Sequence, residues 1–250
     1  MRLKDDSMAS LQRQSLDQCS LGCTQCDTNI CCLGHGLSEE QLHSLREVTR
    51  GHTPYQPGQT IYKIEDTFKS LYIIQSGTVK IETVSHEGTH LVDGFFFKGD
   101  LIGLEAIGDK RYRHDATALE ETMVCELPFE QFESLCSFMP RLQHKVFMLL
   151  GQKIRNTNDT IVHGRYLSAE KRLLLFFETL CQKKIIQKTN NTACVRLPMS
   201  KGDIASYLGL RPESLSRALT KLQCSGLIRN HPKQIELLDV DSICQLGSRN

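Results

Sequence analysis

The chain has 250 residues, with 30 Lys+Arg against 29 Asp+Glu, 40% hydrophobic residues and no Trp, an ordinary globular composition that excludes a disordered, collagenous or very small scaffold. At about 100–200 residues per domain, this length fits two modest domains, each with its own core. No apolar run reaches the ~18–20 residues of a membrane helix, and the opening MRLKDDSMASLQRQ lacks the apolar stretch of a signal peptide, so a cytoplasmic protein without a membrane partner is expected. The net charge of +1 hides an asymmetry: residues 1–164 carry 16 basic and 22 acidic side chains, and residues 165–250 carry 14 and 7. A basic carboxy-terminal third on an acidic body points to a polyanion partner for that third.

Eleven cysteines are many for a protein expected in a reducing compartment, where clustered thiols more often bind metal or do redox chemistry than form disulfides. Five of them, Cys19, Cys23, Cys26, Cys31 and Cys32, fall in a short amino-terminal arm. Cys125 stands far away in METMVCELPFE, where a buried core role is the simplest expectation.

After the arm, Ser38 and Gln41 have capping-box spacing ahead of the stripe Leu42, Leu45 and Val48, which predicts a short helix to about Arg50. From there to Glu126, short apolar or alternating runs are punctuated by Pro57-Gly58, Ser76-Gly77, Glu87-Gly88 and Lys98-Gly99-Asp100, the texture of a small β-barrel or sandwich. A helix is predicted over 141–162, where Phe147, Leu150, Ile154, Thr157 and Ile161 step by 3 and 4. That stripe suits a two-stranded seam as well as packing on the chain's own body. Gly164 is read as the end of this helix and the domain boundary.

Ser168 then caps a helix with Leu173, Leu174, Phe176, Phe177 and Leu180 inward. The segment KGDIASYLGLRPESLSRALTKLQCSGLI has helix-turn-helix form: a first helix from Lys201, a turn at Gly209-Leu210, and a second helix opened by Pro212. Two short runs beyond Gly226, joined at His231-Pro232-Lys233, read as a β-wing. On the second helix, Glu213, Ser216 and Arg217 are spaced i, i+3, i+4 and share one face near the amino-terminal end, the part that reaches base edges in a major groove. Arg can fork onto a guanine, Glu can accept from a cytosine amino group, and Ser can contact either kind of edge. Lys201, Arg211, Lys221, Arg229 and Lys233 surround the trio and suit phosphates, which position a protein on DNA without specifying bases.

In the arm, Cys23-x2-Cys26-x5-Cys32 offers three thiolates that need a fourth soft ligand, and spacing alone does not separate an iron–sulfur cluster from zinc. Together with KSLYIIQSGTVK, GFFFKGDLIGLEAIG, ALEETMVCELPFE and GDIASYLGLRPESLSRAL, the arm gives the chain a close resemblance, from Cys19 to about Leu238, to the FNR (fumarate and nitrate reduction regulator) branch of the CRP/FNR superfamily. The resemblance implies an α+β chain: an iron–sulfur arm over 1–36, a β-roll sensor of the cyclic-nucleotide-binding jelly-roll type over 37–140, a dimerisation helix over 141–163 and a winged helix-turn-helix over 164–250. It further implies that Cys23, Cys26, Cys32 and Cys125 hold an oxygen-labile [4Fe–4S] cluster. By the same resemblance, a homodimer reads an inverted repeat of TTGAT-type half-sites in double-stranded DNA through Glu213, Ser216 and Arg217, and Gly88 lies in a loop that touches RNA polymerase. The chain departs from the family at Cys31, where an aliphatic residue is usual, and at Pro212.

Two rival readings keep the same architecture. A zinc-stabilised regulator would use the same thiols without colour. A cyclic-nucleotide sensor needs a fixed positive charge for the cyclic phosphate, and here Arg113 is followed by His114-Asp115, whose acid repels one, so no cyclic nucleotide is expected. No enzyme is expected either: Walker A, G-x-S-x-G and H-E-x-x-H patterns are absent.

Overall fold

The structure is a computed structural model that describes residues 33–85, 88–183, 187–189, 191–231 and 234–243. Helix α1 (Glu39–Val48) begins at the expected capping box: Ser38 Oγ accepts from the Gln41 amide at 3.3 Å, and Gln41 Oε1 accepts from the Ser38 amide at 3.0 Å. Two orphan donors are thereby satisfied, and Leu42 and Leu45 go inward. Strands β1 (Arg50–Tyr55), β2 (Thr60–Tyr62), β3 (Ser70–Ser76), β4 (Val79–Val84), β5 (His90–Phe96), β6 (Leu101–Ile102), β7 (Asp115–Ala118) and β8 (Thr122–Pro128) follow. They form two antiparallel four-stranded sheets, ordered β1-β8-β3-β6 and β2-β7-β4-β5. This is the expected β-roll. Strand β1 escaped the sequence reading because it contains Pro54 and buries none of its residues, as an edge strand does.

Helix α2 (Phe129–Phe138) grows straight out of β8 without a side-chain cap and buries Phe129 and Phe132. The lack of a start signal explains why the sequence did not reveal it. Helix α3 (Pro140–Tyr166) opens on Pro140, whose missing N–H costs nothing at that position. It does not end at Gly164. A glycine costs only about 1 kcal/mol in a helix interior, and the chain turns extended one residue after Tyr166, at Leu167, so the helix ends two residues later than expected. Among the described residues, no helix is long and apolar enough to cross a membrane.

Ser168 Oγ caps α4 (Ala169–Gln182) by accepting from the Lys171 amide. Beyond it lie β9 (Gln187–Thr189), β10 (Thr192–Arg196), α5 (Lys201–Tyr207), α6 (Pro212–Cys224), β11 (Ile228–His231) and β12 (Gln234–Leu237). The wing expected as a hairpin is part of a four-stranded sheet ordered β11-β12-β10-β9. One core fills the β-roll together with α1, α2 and Leu142 of α3, and a second lies between α4, α5, α6 and the wing sheet. The second core takes in Phe97, supplied by the segment after β5 and only 4% exposed, so the two halves of the chain share apolar surface.

Candidate nucleic-acid interface and metal centre

Helix α6 is held by Leu215, Ala218, Leu219 and Leu222, all buried against the second core. That leaves Glu213, Ser216 and Arg217 exposed on the opposite side, as the spacing predicts. Arg217 makes a loose 3.4 Å contact to Ser214 Oγ and no other hydrogen bond or ion pair among the described residues. The tight turn before α6 is closed by the Leu210 amide donating to Ala205 O at 2.8 Å, and Gly209 supplies the positive φ of 62° that this needs.

Of the expected phosphate contacts, Lys201 at the start of α5 and Arg211 at the cap of α6 are exposed, while Lys233 lies outside the described residues. Lys221 is engaged elsewhere: its Nζ bonds Glu170 Oε1 at 2.6 Å, which holds that carboxyl down at about 2. Arg229 is likewise paired across the wing with Glu236 at 2.6 Å. Both cations need to exchange a carboxylate for a phosphate to meet DNA.

Arg172, which the sequence did not single out, donates to four carbonyl oxygens, the longest contact running from Nη1 to Gly209 O at 3.5 Å. Its Nη2 donates to Gly164 O at 2.8 Å near the end of α3, its Nε to Leu167 O at 3.1 Å, and its Nη1 to Leu208 O at 3.0 Å just past α5. A cation at two helix carboxyl ends also meets their negative partial charge. The long helix and the helix-turn-helix are thus gripped by one guanidinium. Arg172 sits half-buried in the first turn of α4, and nothing in the local pattern marks it for such a role.

For the cluster, Cys23, Cys26 and Cys32 lie outside the described residues, and Cys125 is a half-buried thiol on β8. Its Sγ is 3.2 Å from Nδ1 of His52, its register partner on β1. The described chain starts at Leu33, next to Cys32, and Leu33 is buried in the same apolar cluster against which Cys125 packs. Among the described residues, no group of three or more His, Cys, Asp and Glu side chains is placed to hold a metal ion. The soft sulfur of the half-buried Cys125 is chemically suited to serve as one ligand. Cys136 fits less well, because burial, with help from Glu133, pushes its thiol up.

Inside the β-roll, Tyr62 and Tyr112 stack with centroids 3.9 Å apart, and Tyr72 lies 5.8 Å from Tyr62. Tyr62 and Tyr112 are nearly fully buried, and the Tyr112 hydroxyl donates to Ser70 O at 2.6 Å. Arg113 faces outward, bonded to Asp109 and near Glu65. Gly88, in the turn between β4 and β5, is exposed with φ 76°, and its amide donates to Ser85 O at 2.9 Å.

A β-roll carried on a long helix and followed by a winged helix-turn-helix whose second helix has an exposed polar face defines a DNA-binding transcription regulator rather than an enzyme. Residues 52–137 match the model of the cyclic nucleotide-binding domain family, and residues 171–246 match the Crp-like helix-turn-helix domain. The fumarate and nitrate reduction regulatory protein of Escherichia coli K12 is 36% identical over 229 residues, 92% of this chain and 91% of that protein. The fumarate nitrate reduction regulatory protein of Klebsiella oxytoca is also 36% identical, over 92% of each chain. The chain belongs to the FNR branch of the CRP/FNR superfamily. In fold alone it also resembles FixK2 from Bradyrhizobium japonicum, with a TM-score of 0.70 at 23% identity over 80% of this chain and 98% of that one. A transcriptional regulator of the CRP family from Thermus thermophilus scores 0.65 at 22% identity, over 79% of this chain and 97% of that one.

Proposed function

We propose that this regulator is an oxygen-responsive homodimer that binds an inverted repeat of TTGAT-type half-sites and contacts RNA polymerase through the turn at Gly88. The observation that carries the DNA-reading part is the division of α6: four buried apolar residues on one face, and Glu213, Ser216 and Arg217 free on the other. Glu213, Ser216 and Arg217 read base edges, while Lys201, Arg211, Lys221 and Lys233 meet phosphates.

Dimerisation uses α3. Phe147, Ile154 and Ile161 are 60%, 62% and 49% exposed in the single chain, and their spacing of seven is the period that keeps a stripe on one side of a left-handed pair of helices. The sensing part rests on the chain's family and on thiol chemistry: Cys23, Cys26 and Cys32 join Cys125 as the four soft ligands of a [4Fe–4S] cluster. When bound, such a cluster supplies an oxygen-labile tie among four thiolates. Cys125 anchors that tie to the β-roll, and Lys145 of α3 holds the arm's end by donating to Leu33 O at 2.9 Å. Loss of the tie frees the arm from the body next to the dimer helix, and because two half-sites are bound together, DNA affinity falls steeply with the dimer.

A cyclic-nucleotide trigger is disfavoured by the β-roll itself, since stacked Tyr62 and Tyr112 occupy its interior and Arg113 is committed to carboxylates outside. The experiment is an absorption spectrum and a sedimentation profile of anaerobically purified protein before and after air. Bleaching with a shift from dimer to monomer is expected. A colourless anaerobic protein that binds zinc, or a profile indifferent to air, overturns the oxygen reading while leaving DNA binding intact.

A further inference from the structure

The β4–β5 hairpin lies against the first helix of the helix-turn-helix, and a polar bridge crosses between them. Lys80 Nζ on β4 bonds Asp203 Oδ1 on α5 at 3.0 Å and Glu82 Oε2 at 2.8 Å. The three side chains are only 14%, 20% and 11% exposed. Asp203 is also the capping-box residue of α5: its Oδ2 accepts from the Ser200 amide at 3.1 Å and from Ser200 Oγ at 2.6 Å. One carboxylate therefore starts the helix and fastens it to the sensor domain.

Three further contacts run in parallel. The Val92 amide of β5 donates to Ser206 Oγ at 3.0 Å, beside a bulge where Ile81 pairs with Gly94 and Glu82 with Val92. Ser206 Oγ in turn donates to His90 O at 3.4 Å. Phe95 packs on Tyr207 and Phe176 with centroids 5.3 and 6.1 Å apart. Desolvation works against the charge on Lys80, yet the bonds to Glu82 and Asp203 outweigh it and its pKa rises, so the cation is retained. Buried ion pairs add little net stability over apolar packing, because desolvation offsets their attraction, and their best-attested use is to fix geometry.

We propose that Lys80 is a positioning residue for DNA recognition: by bridging Glu82 and Asp203 it locks the helix-turn-helix to the β-roll, so that a dimer presents its two reading helices at one fixed separation and angle. The opposite end of α5 is already fixed to α3 by Arg172. With both ends of α5 held, the orientation of α6 follows that of the sensor domain and the dimer axis. The same hairpin carries the turn at Gly88, so the lock also fixes that turn relative to the bound DNA.

The proposal rests on the dimeric DNA-binding reading, and the test separates the two. Lys80→Met/Glu82→Gln removes the bridge together with the Glu82 charge and leaves Asp203 its capping bonds to Ser200, and Ser206→Ala removes the hydroxyl link. Affinity is measured on a single half-site, on the inverted repeat, and on repeats whose spacing is changed by one base pair. Half-site affinity is expected to stay within about twofold, while affinity for the repeat falls about tenfold and the penalty for altered spacing largely disappears, because loosely held heads lose effective concentration but tolerate misplacement. Hydrogen exchange at the Val92 amide reads the lock without DNA and should accelerate in both variants. Unchanged spacing discrimination, equal losses on half-site and repeat, or an unchanged Val92 exchange rate overturns the proposal. An unsubstituted protein that binds the repeat no better than a half-site overturns the dimeric reading instead, and Val92 exchange still decides the lock.

Discussion

Lys145 and Leu33 are 112 positions apart in the chain, yet the ammonium of one donates to the carbonyl of the other at 2.9 Å. The residue that follows Cys32 is thereby fastened to the helix proposed as the dimer seam. A charge-assisted bond of this kind contributes about 1.5–3 kcal/mol. Lys145→Met should accordingly weaken anaerobic dimerisation about fivefold or more while the cluster's absorbance persists. Sedimentation with simultaneous absorbance at the cluster band checks this, and dimerisation of wild-type strength would show that the arm communicates by another route.

The recognition trio makes a prediction about specificity. Arg217→Ala should cost about 1–3 kcal/mol on a TTGAT-type site and little on random DNA, whereas Lys201→Ala should weaken both alike. Competition binding with the two DNAs distinguishes them. Losses of the same pattern in both variants would remove α6 as the reading helix.

The Lys221–Glu170 pair sets up a competition with DNA. The Lys221 ammonium holds the Glu170 carboxyl at about 2, below its ordinary value of 4.5, so the pair's stabilisation is present above the ordinary value and fades as pH drops toward 2. At neutral pH the pair is therefore intact in free protein. Lys221 is largely exposed, and such surface pairs contribute little to stability. Glu170→Gln should free the lysine for a phosphate and steepen the slope of log K against log salt by about one. Lys221→Ala should erase the gain. A slope indifferent to Glu170→Gln would mean that Lys221 is not a phosphate contact.

Along α3, Phe147 and Ile154 are uncovered large apolar side chains one heptad apart. Ile154→Glu should place like charges opposite each other across the seam, leaving a monomer that keeps its anaerobic chromophore and its half-site affinity but loses the inverted repeat. Persistence of the dimer in Ile154→Glu and Phe147→Glu would put the seam elsewhere.

Ligand choice gives a series. Cys23→Ser, Cys26→Ser, Cys32→Ser and Cys125→Ser should each abolish the anaerobic brown colour. Cys136→Ser should retain it, because burial raises that thiol's pKa and so disfavours the thiolate a cluster needs. Cys31→Leu should keep the cluster and slow its decay in air, since an aliphatic side chain excludes solvent and removes a competing thiol. Colour lost in Cys31→Leu and kept in Cys32→Ser would reassign the third ligand.

What the sequence determined by itself were the features written in local pattern. Ser38 with Gln41, Ser168 before its apolar stripe, and Pro212 at the head of α6 mark helix starts because caps and prolines act on their immediate neighbours. The i, i+3, i+4 spacing placed Glu213, Ser216 and Arg217 on one face, and the buried side of α6 agrees with that placement. Local pattern failed where the deciding partner is remote. Strand β1 is an edge made by pairing with β8, and α2 starts without a cap because the phenylalanines it buries meet residues from other elements. Gly164 stays helical, and the chain turns extended only at Leu167. The pairing of His52 with Cys125, the grip of Arg172 on two helix ends and the bridge from Lys80 to Asp203 join residues 8 to 123 positions apart. Only tertiary packing could decide them, because a side chain's partner across an interface depends on how two surfaces meet, and no local repeat encodes that.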